Sequence, residues 1–213
     1  MAASNNPDRK VELMQLQHLV DGLAVYPPAN RLSDVAIRDI ADDSRHTRPG
    51  CLFIARSPNP SHTLAAVKHG AVAIVVTPEV KRQVFSTLPK NVVCCTASTI
   101  TQLLVGTIAE RFFGYPSRKL KLIGITGTNG KTTTAFIAQY LLQSAGLSCG
   151  MIGTVWIDVG KNPQASLLTT PGAIEISRLL AKMVDHGCRA AVIETSSHGL
   201  HQGRTAAIDF NTS

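Results

Sequence analysis

Residues Leu120 to Thr134 read LKLIGITGTNGKTTT. Leu120-Lys121-Leu122-Ile123-Gly124-Ile125 is a short apolar run with the pattern of a buried parallel strand. It gives way to Thr126-Gly127-Thr128-Asn129-Gly130-Lys131-Thr132, and a helical pattern carried by Ala135, Ile137, Ala138, Tyr140, Leu141 and Leu142 follows. Strand, glycine-rich turn, Lys-Thr and helix form the layout of a phosphate-binding loop. Gly127 and Gly130 allow the tight turn that brings backbone N–H groups close to phosphate oxygens. A helix opening at Lys131 adds unpaired N–H groups and the positive end of a dipole. Lys131 supplies a point charge, and the Thr132 hydroxyl suits Mg²⁺. The general pattern wants glycine at 125, where this chain has Ile125, with Gly124 one place early.

Outward from this stretch, strands and helices alternate, which predicts an α/β protein. The 213 residues are 44% apolar and 16% charged, a globular balance. The net charge of +7 favours anionic partners. Its basic residues are scattered without aromatic interleaving, so nucleic acid is not expected as a partner. No apolar stretch is long enough to span a membrane, and the polar start lacks the core of a secretory signal. Five cysteines without C-x-x-C spacing point to free thiols and a cytoplasmic setting rather than to disulfides or zinc.

In chain order, a helix is expected over Val11–Leu23, then strands over Val35–Ile40 and Cys51–Ala55 with a polar loop between them. Ser57–His62 reads as a loop, Leu64–His69 as helix, Ala71–Val76 as strand, Val80–Ser86 as helix and Asn91–Cys95 as strand. A longer helix over Thr99–Phe113, capped by Ser98 or Thr99, closes a first domain, residues 1–117, with Gly114–Arg118 as linker. The second domain, residues 118–213, starts at the quoted stretch. It continues with a strand over Cys149–Trp156, a hairpin or loop over Asp158–Ala165, a helix over Ala173–His186 and a strand over Arg189–Glu194. Ligands of open parallel sheets bind at the carboxyl ends of strands, where both the phosphate loop and Glu194–His198 lie. Glu194, ending a buried strand, reads either as a Mg²⁺ ligand or as a structural carboxylate. His198 reads more readily as a structural histidine.

Several separated motifs resemble the Mur ligase family, the ATP-dependent enzymes that build the peptide of bacterial peptidoglycan. TGTNGKTTT at Thr126–Thr134 is similar to the family's ATP loop, including the displaced first glycine. LTTPGAIEI at Leu168–Ile176, IETSSHGLHQGR at Ile193–Arg204 and DSRHTRPGCLFIA at Asp43–Ala55 resemble the tripeptide-synthetase type. The resemblance implies a small uridine-binding α/β domain followed by the first part of a P-loop parallel-sheet domain. It implies that Gly127, Thr128, Asn129, Gly130, Lys131, Thr132 and Thr133 hold ATP, with Thr132 and Glu194 on Mg²⁺ and Lys131 and Glu194 catalytic. Thr169, Thr170, Ser196 and Arg204 would hold the sugar-dipeptide substrate, with Ser44 and Arg45 at the uridine.

The implied reaction adds a diamino acid to UDP-N-acetylmuramoyl-L-alanyl-D-glutamate through an acyl phosphate, in the cytoplasm and by a monomer. The resemblance stops at Arg56–His62, where the family has a glycine-containing loop. Matching about half of the family's length, the 213 residues alone are expected to lack ligase activity. A non-catalytic UDP-sugar and ATP-binding module and a cyanophycin-type amide ligase are the competing readings.

Overall fold

The computed structural model describes residues 13–27, 35–166 and 168–212. The expected helix start at 11 and 12 lies outside these residues. The chain divides between Thr99 and Ile100 into two compact units.

The first unit opens with β1 (Met14–Gln15), α1 (Leu16–Val20) and β2 (Ala36–Ile37), the two strands pairing antiparallel. It continues with β3 (Asp39–Ala41), a 3-10 turn (Ser44–His46), β4 (Cys51–Ile54), α2 (Pro60–Lys68), β5 (Ala71–Val76), α3 (Pro78–Val84) and β6 (Val93–Thr96). These last four strands form a parallel sheet in the order β3-β4-β5-β6. Phe53, Ile74, Val76, Val80 and Val84 anchor the core between sheet and helices. The helix expected over Val11–Leu23 is one short turn, because Met14 and Gln15 are spent on the β-pair. The expected loop Ser57–His62 instead contains the start of α2. Asn59 caps that helix by accepting from the Ser61 N–H at 3.0 Å, and Pro60 takes the first helical position, where its missing N–H costs nothing.

The second unit contains α4 (Gln102–Phe112), a 3-10 turn (Pro116–Lys119), β7 (Lys121–Ile125), α5 (Lys131–Ser144), β8 (Cys149–Ile152), β9 (Trp156–Asp158), β10 (Gln164–Ala165), α6 (Ala173–Asp185), β11 (Ala190–Glu194) and α7 (Ser197–His201). The helix expected to close the first domain therefore belongs with the second unit, and the division falls before it rather than at 117. It is capped by Thr101, whose hydroxyl accepts from the Leu104 N–H at 3.2 Å. At Gly106 the helix backbone presses so close that an added Cβ would lie 2.7 Å from that of Ala207. The buried Glu110 accepts from the Ser117 hydroxyl at 2.6 Å and from the Ser177 hydroxyl of α6 at 2.8 Å.

The sheet order is β10-β9-β8-β11-β7, parallel among β8, β11 and β7, with β9 and β10 added as an antiparallel hairpin. Strand alternation sorts the core into two faces. Leu122, Ile152, Ala191 and Ile193 face Ile176, Leu180 and Met183 of α6. Met151, Ala190 and Val192, with Ile123 and Ile125, pack on the α5 side with Ala135. Among the described residues no helix is long and apolar enough to cross a membrane. All five cysteines are free and buried, and burial pushes the Cys95 and Cys149 thiols up to about 12.

Candidate functional site

The period of two that places Ala190 and Val192 of β11 toward α5 also sends Glu194 that way. Its carboxylate, fully buried, meets the first turn of α5: the Thr132 hydroxyl donates to Glu194 Oε2 at 2.9 Å. The phosphate loop that brings Thr132 there turns at Gly127 (φ 142°) and Gly130 (φ 80°), both in the region that glycine tolerates. Gly130 precedes α5 and has no side chain to cap it, so the first N–H groups of the helix are left for an anion. Lys131 folds back over the loop, its Nζ donating to the Gly127 carbonyl at 2.7 Å and the Thr128 carbonyl at 3.4 Å. Ile125 departs from the general loop pattern because it is the last residue of β7. It pairs with Glu194 and packs on the α5 side, and its carbonyl accepts from the Thr195 N–H at 2.8 Å.

One strand was expected from Cys149 to Trp156, but β8 ends at Ile152. Gly153 follows, and any Cβ there would collide with Glu194 Oε1. The chain turns, with the Gly153 N–H donating to the Trp156 carbonyl at 3.0 Å. Thr154 in that turn grips the carboxylate twice, its N–H to Oε1 at 3.0 Å and its hydroxyl to Oε2 at 3.1 Å. The same hydroxyl stands 3.1 Å from Thr169 Oγ. Sequence reasoning missed Thr154; its signal was a Gly-Thr pair at the carboxyl end of a parallel strand, the same end as the phosphate loop.

Thr170 is buried and links Glu194 to the next loop. Its hydroxyl donates to the Glu194 carbonyl at 3.0 Å and accepts from the Ser196 N–H at 3.0 Å. Ser196 caps α7, and Gly199 there lies flat against Thr170, where an added Cβ would come within 2.9 Å. Arg204 Nη1 donates to the Thr170 carbonyl at 2.5 Å. Lys131, Thr132, Glu194, Thr169, Thr170, Ser196 and Arg204 are thus all held in the second unit, most of them in one hydrogen-bonded cluster. His198 stays at the exposed side, 2.9 Å from the Gln202 amide nitrogen.

Ser44 and Arg45 lie in the first unit, on the rim of a cavity of about 660 Å³. Arg45 clamps Asp43 through Nε and Nη2, and this hydrogen bonding brings the Asp43 carboxyl down to about 2. Arg56, paired with Asp42 at 2.6 Å, and Ser57 and His62 line the same cavity, so the segment that departs from the family pattern still contributes to it.

Among the described residues no group of three or more His, Cys, Asp or Glu could hold a metal ion. A hydroxyl and one carboxylate, both hard oxygen donors beside a phosphate-binding turn, nevertheless match Mg²⁺, which usually takes one or two carboxylates and fills its remaining positions with water and phosphate. The donor set fits the ion.

Residues 125–213 match the Mur ligase middle domain. The UDP-N-acetylmuramoyl-L-alanyl-D-glutamate–2,6-diaminopimelate ligase of Trichormus variabilis is 35% identical over 204 residues, covering 94% of this chain and 40% of the relative. Residues 125–213 belong to the Mur ligase family. The Pseudomonas aeruginosa ligase of the same name is 36% identical, over 88% of this chain and 38% of its own length. A solved structure of such a diaminopimelate ligase superposes with a TM-score of 0.73 at 23% identity, covering 93% of this chain and 39% of that one. The chain spans about 40% of the length of the curated relatives it matches.

Proposed function

We propose that this chain supplies the ATP-binding and acceptor-binding part of a ligase that joins a diamino acid to UDP-N-acetylmuramoyl-L-alanyl-D-glutamate in peptidoglycan precursor synthesis. The observation that carries the reading is the buried Glu194 carboxylate hydrogen-bonded to Thr132 of the phosphate loop on one side and to Thr154, beside Thr169, on the other. Loop backbone from Gly127 to Thr133, with Lys131, holds the ATP phosphates. Thr132 and Glu194 hold Mg²⁺, which supplies charge neutralisation on the transferring phosphoryl group. Thr169, Thr170, Ser196 and Arg204 orient the acceptor's glutamate and its diphosphate, and Ser44 and Arg45 meet the uridine. The acceptor's γ-carboxylate oxygen takes the γ-phosphoryl group and ADP leaves. The amine of the diamino acid then attacks the acyl phosphate carbon, and inorganic phosphate departs. The residues of this chain contribute by positioning and by fixed positive potential rather than by covalent chemistry. The setting is cytoplasmic and the protein monomeric.

Titration of the 213-residue chain with Mg²⁺ and ADP tests the nucleotide side. Lys131→Ala is expected to lower the affinity at least ~10-fold, the loss of about 1.4 kcal/mol of charge interaction. Its stability should be unchanged, because Lys131 Nζ touches only loop carbonyls. Absence of ADP binding by the unmodified chain, or equal binding by Lys131→Ala, would overturn the proposal.

A further inference from the structure

We propose that Thr154 is a positioning residue that couples the cation side of the site to its acceptor side, an inference resting on Glu194 as a cation ligand. The Thr154 hydroxyl stands 3.1 Å from Glu194 Oε2 and 3.1 Å from Thr169 Oγ. A hydroxyl has one proton, so it serves one of these oxygens fully at a time. A carboxylate is acceptor-only, and a hydrogen bond to an ionised acceptor is stronger than one to a hydroxyl. With Glu194 bare, the proton therefore goes to Oε2.

Oε2 already accepts from Thr132 as well, so a cation held by Glu194 would compete with the Thr154 hydroxyl for that oxygen. The Thr154 proton then turns to Thr169 Oγ. Thr169, now an acceptor on its inner side, has its own proton directed outward, toward an oxygen of the bound acceptor. The carboxylate does not drift while the hydroxyl turns, because the Thr154 N–H keeps its 3.0 Å bond to Oε1 and Gly153 leaves that oxygen room. Thr132 approaches Oε2 from α5 and does not compete for Thr169.

Coupling of this kind is reciprocal: the cation strengthens acceptor binding by the same factor as the acceptor strengthens cation binding. One neutral hydrogen bond gained sets that factor at roughly two- to tenfold.

The test is a methyl and amide NMR titration of the chain in ADP, first with chelator and then with Mg²⁺ added, so that the difference isolates the cation. In the unmodified protein Thr132 and Thr169 should both shift on Mg²⁺ addition. Thr154→Val keeps the backbone N–H and removes the hydroxyl. It should retain the Thr132 shift and lose the Thr169 shift, while Thr154→Ser keeps the first and restores the second. Thr154 is exposed in its turn, and Thr154→Ala serves as a second hydroxyl-free variant. A Thr169 shift undiminished without the hydroxyl, or absent in the unmodified protein while Thr132 responds, overturns the coupling. Absence of any Mg²⁺ shift at Thr132 fails the cation reading of Glu194 instead, and the coupling with it.

Discussion

Glu194→Gln separates a carboxylate kept for binding from one kept for folding. Glu194 is fully buried, and its carboxylate accepts three hydrogen bonds, from the Thr132 hydroxyl, the Thr154 hydroxyl and the Thr154 N–H. Bonds to a charged acceptor contribute about 1 kcal/mol more than neutral ones, so neutralising the side chain forfeits about 3 kcal/mol. Against this, holding a carboxylate out of water costs several kcal/mol even after relaxation, a cost that glutamine does not carry. The glutamine also keeps an acceptor oxygen, and both threonine hydroxyls can turn to accept from its amide. The two terms nearly cancel. The unfolding free energy of the second unit should stay within about 2 kcal/mol of the parent, with gain more expected than loss. Affinity for Mg²⁺ with ADP should fall at least ~10- to 100-fold, the range seen when even the outer partners of a metal site are removed. Urea denaturation followed through Trp156, the single tryptophan, reads the second unit specifically. A loss of stability beyond about 3 kcal/mol with nucleotide affinity intact would show Glu194 to be a structural keystone and refute the reasoning.

Glu110 should behave oppositely. It accepts from the N–H and hydroxyl of Ser117 and from Ser177, so Glu110→Ala should cost about 2–4 kcal/mol in the same denaturation measurement while leaving ADP affinity unchanged. For Asp43, whose carboxyl Arg45 brings from 3.8 to about 2, Arg45→Ala should return its titration by NMR toward 3.8. The sign follows: the folded value lies below the unfolded one, so the pair's contribution is full above about pH 4 and is lost as pH falls toward 2. It is small, because Arg45 is exposed. The five buried thiols should react with a disulfide reagent at pH 8 at a small fraction of the unfolded rate, since burial raises the pKa of Cys94, Cys95, Cys149 and Cys188. Rapid native-state labelling of Cys95 or Cys149 would contradict that burial.

The phosphate loop could be read directly, because glycines, lysine and hydroxyls at fixed spacing carry the chemistry in the residues themselves. The strands β5, β7 and β11 followed from apolar runs of the right length. Glu194 stood out as a charge at the end of such a run, but its register toward Thr132 needed the pairing with β7 and β8. Three things were hidden for physical reasons. Pro58-Asn59-Pro60 has the composition of a loop, yet Asn59 and Pro60 are a cap and a first turn, and only the buried Thr63 and Ala66 side of α2 reveals the helix. The helix expected over Thr99–Phe113 was legible as an element, but not that α6, rather than the first domain, receives it. Thr154 has no distinctive residue chemistry; its role comes from a strand that ends two residues before it.

The packing of α4 bears on how such chains can be exchanged between relatives. A chimaera joined after Ser117 would pair one parent's α4 with another parent's α6 and β7. Gly106 would then have to fit a foreign Ala207, and Glu110 a foreign Ser177. A junction between Thr99 and Ile100 keeps those partners together, and the exchanged module ends with β6. The seam for recombination therefore lies about a helix's length before the Gly114-Tyr115-Pro116 segment that composition suggests.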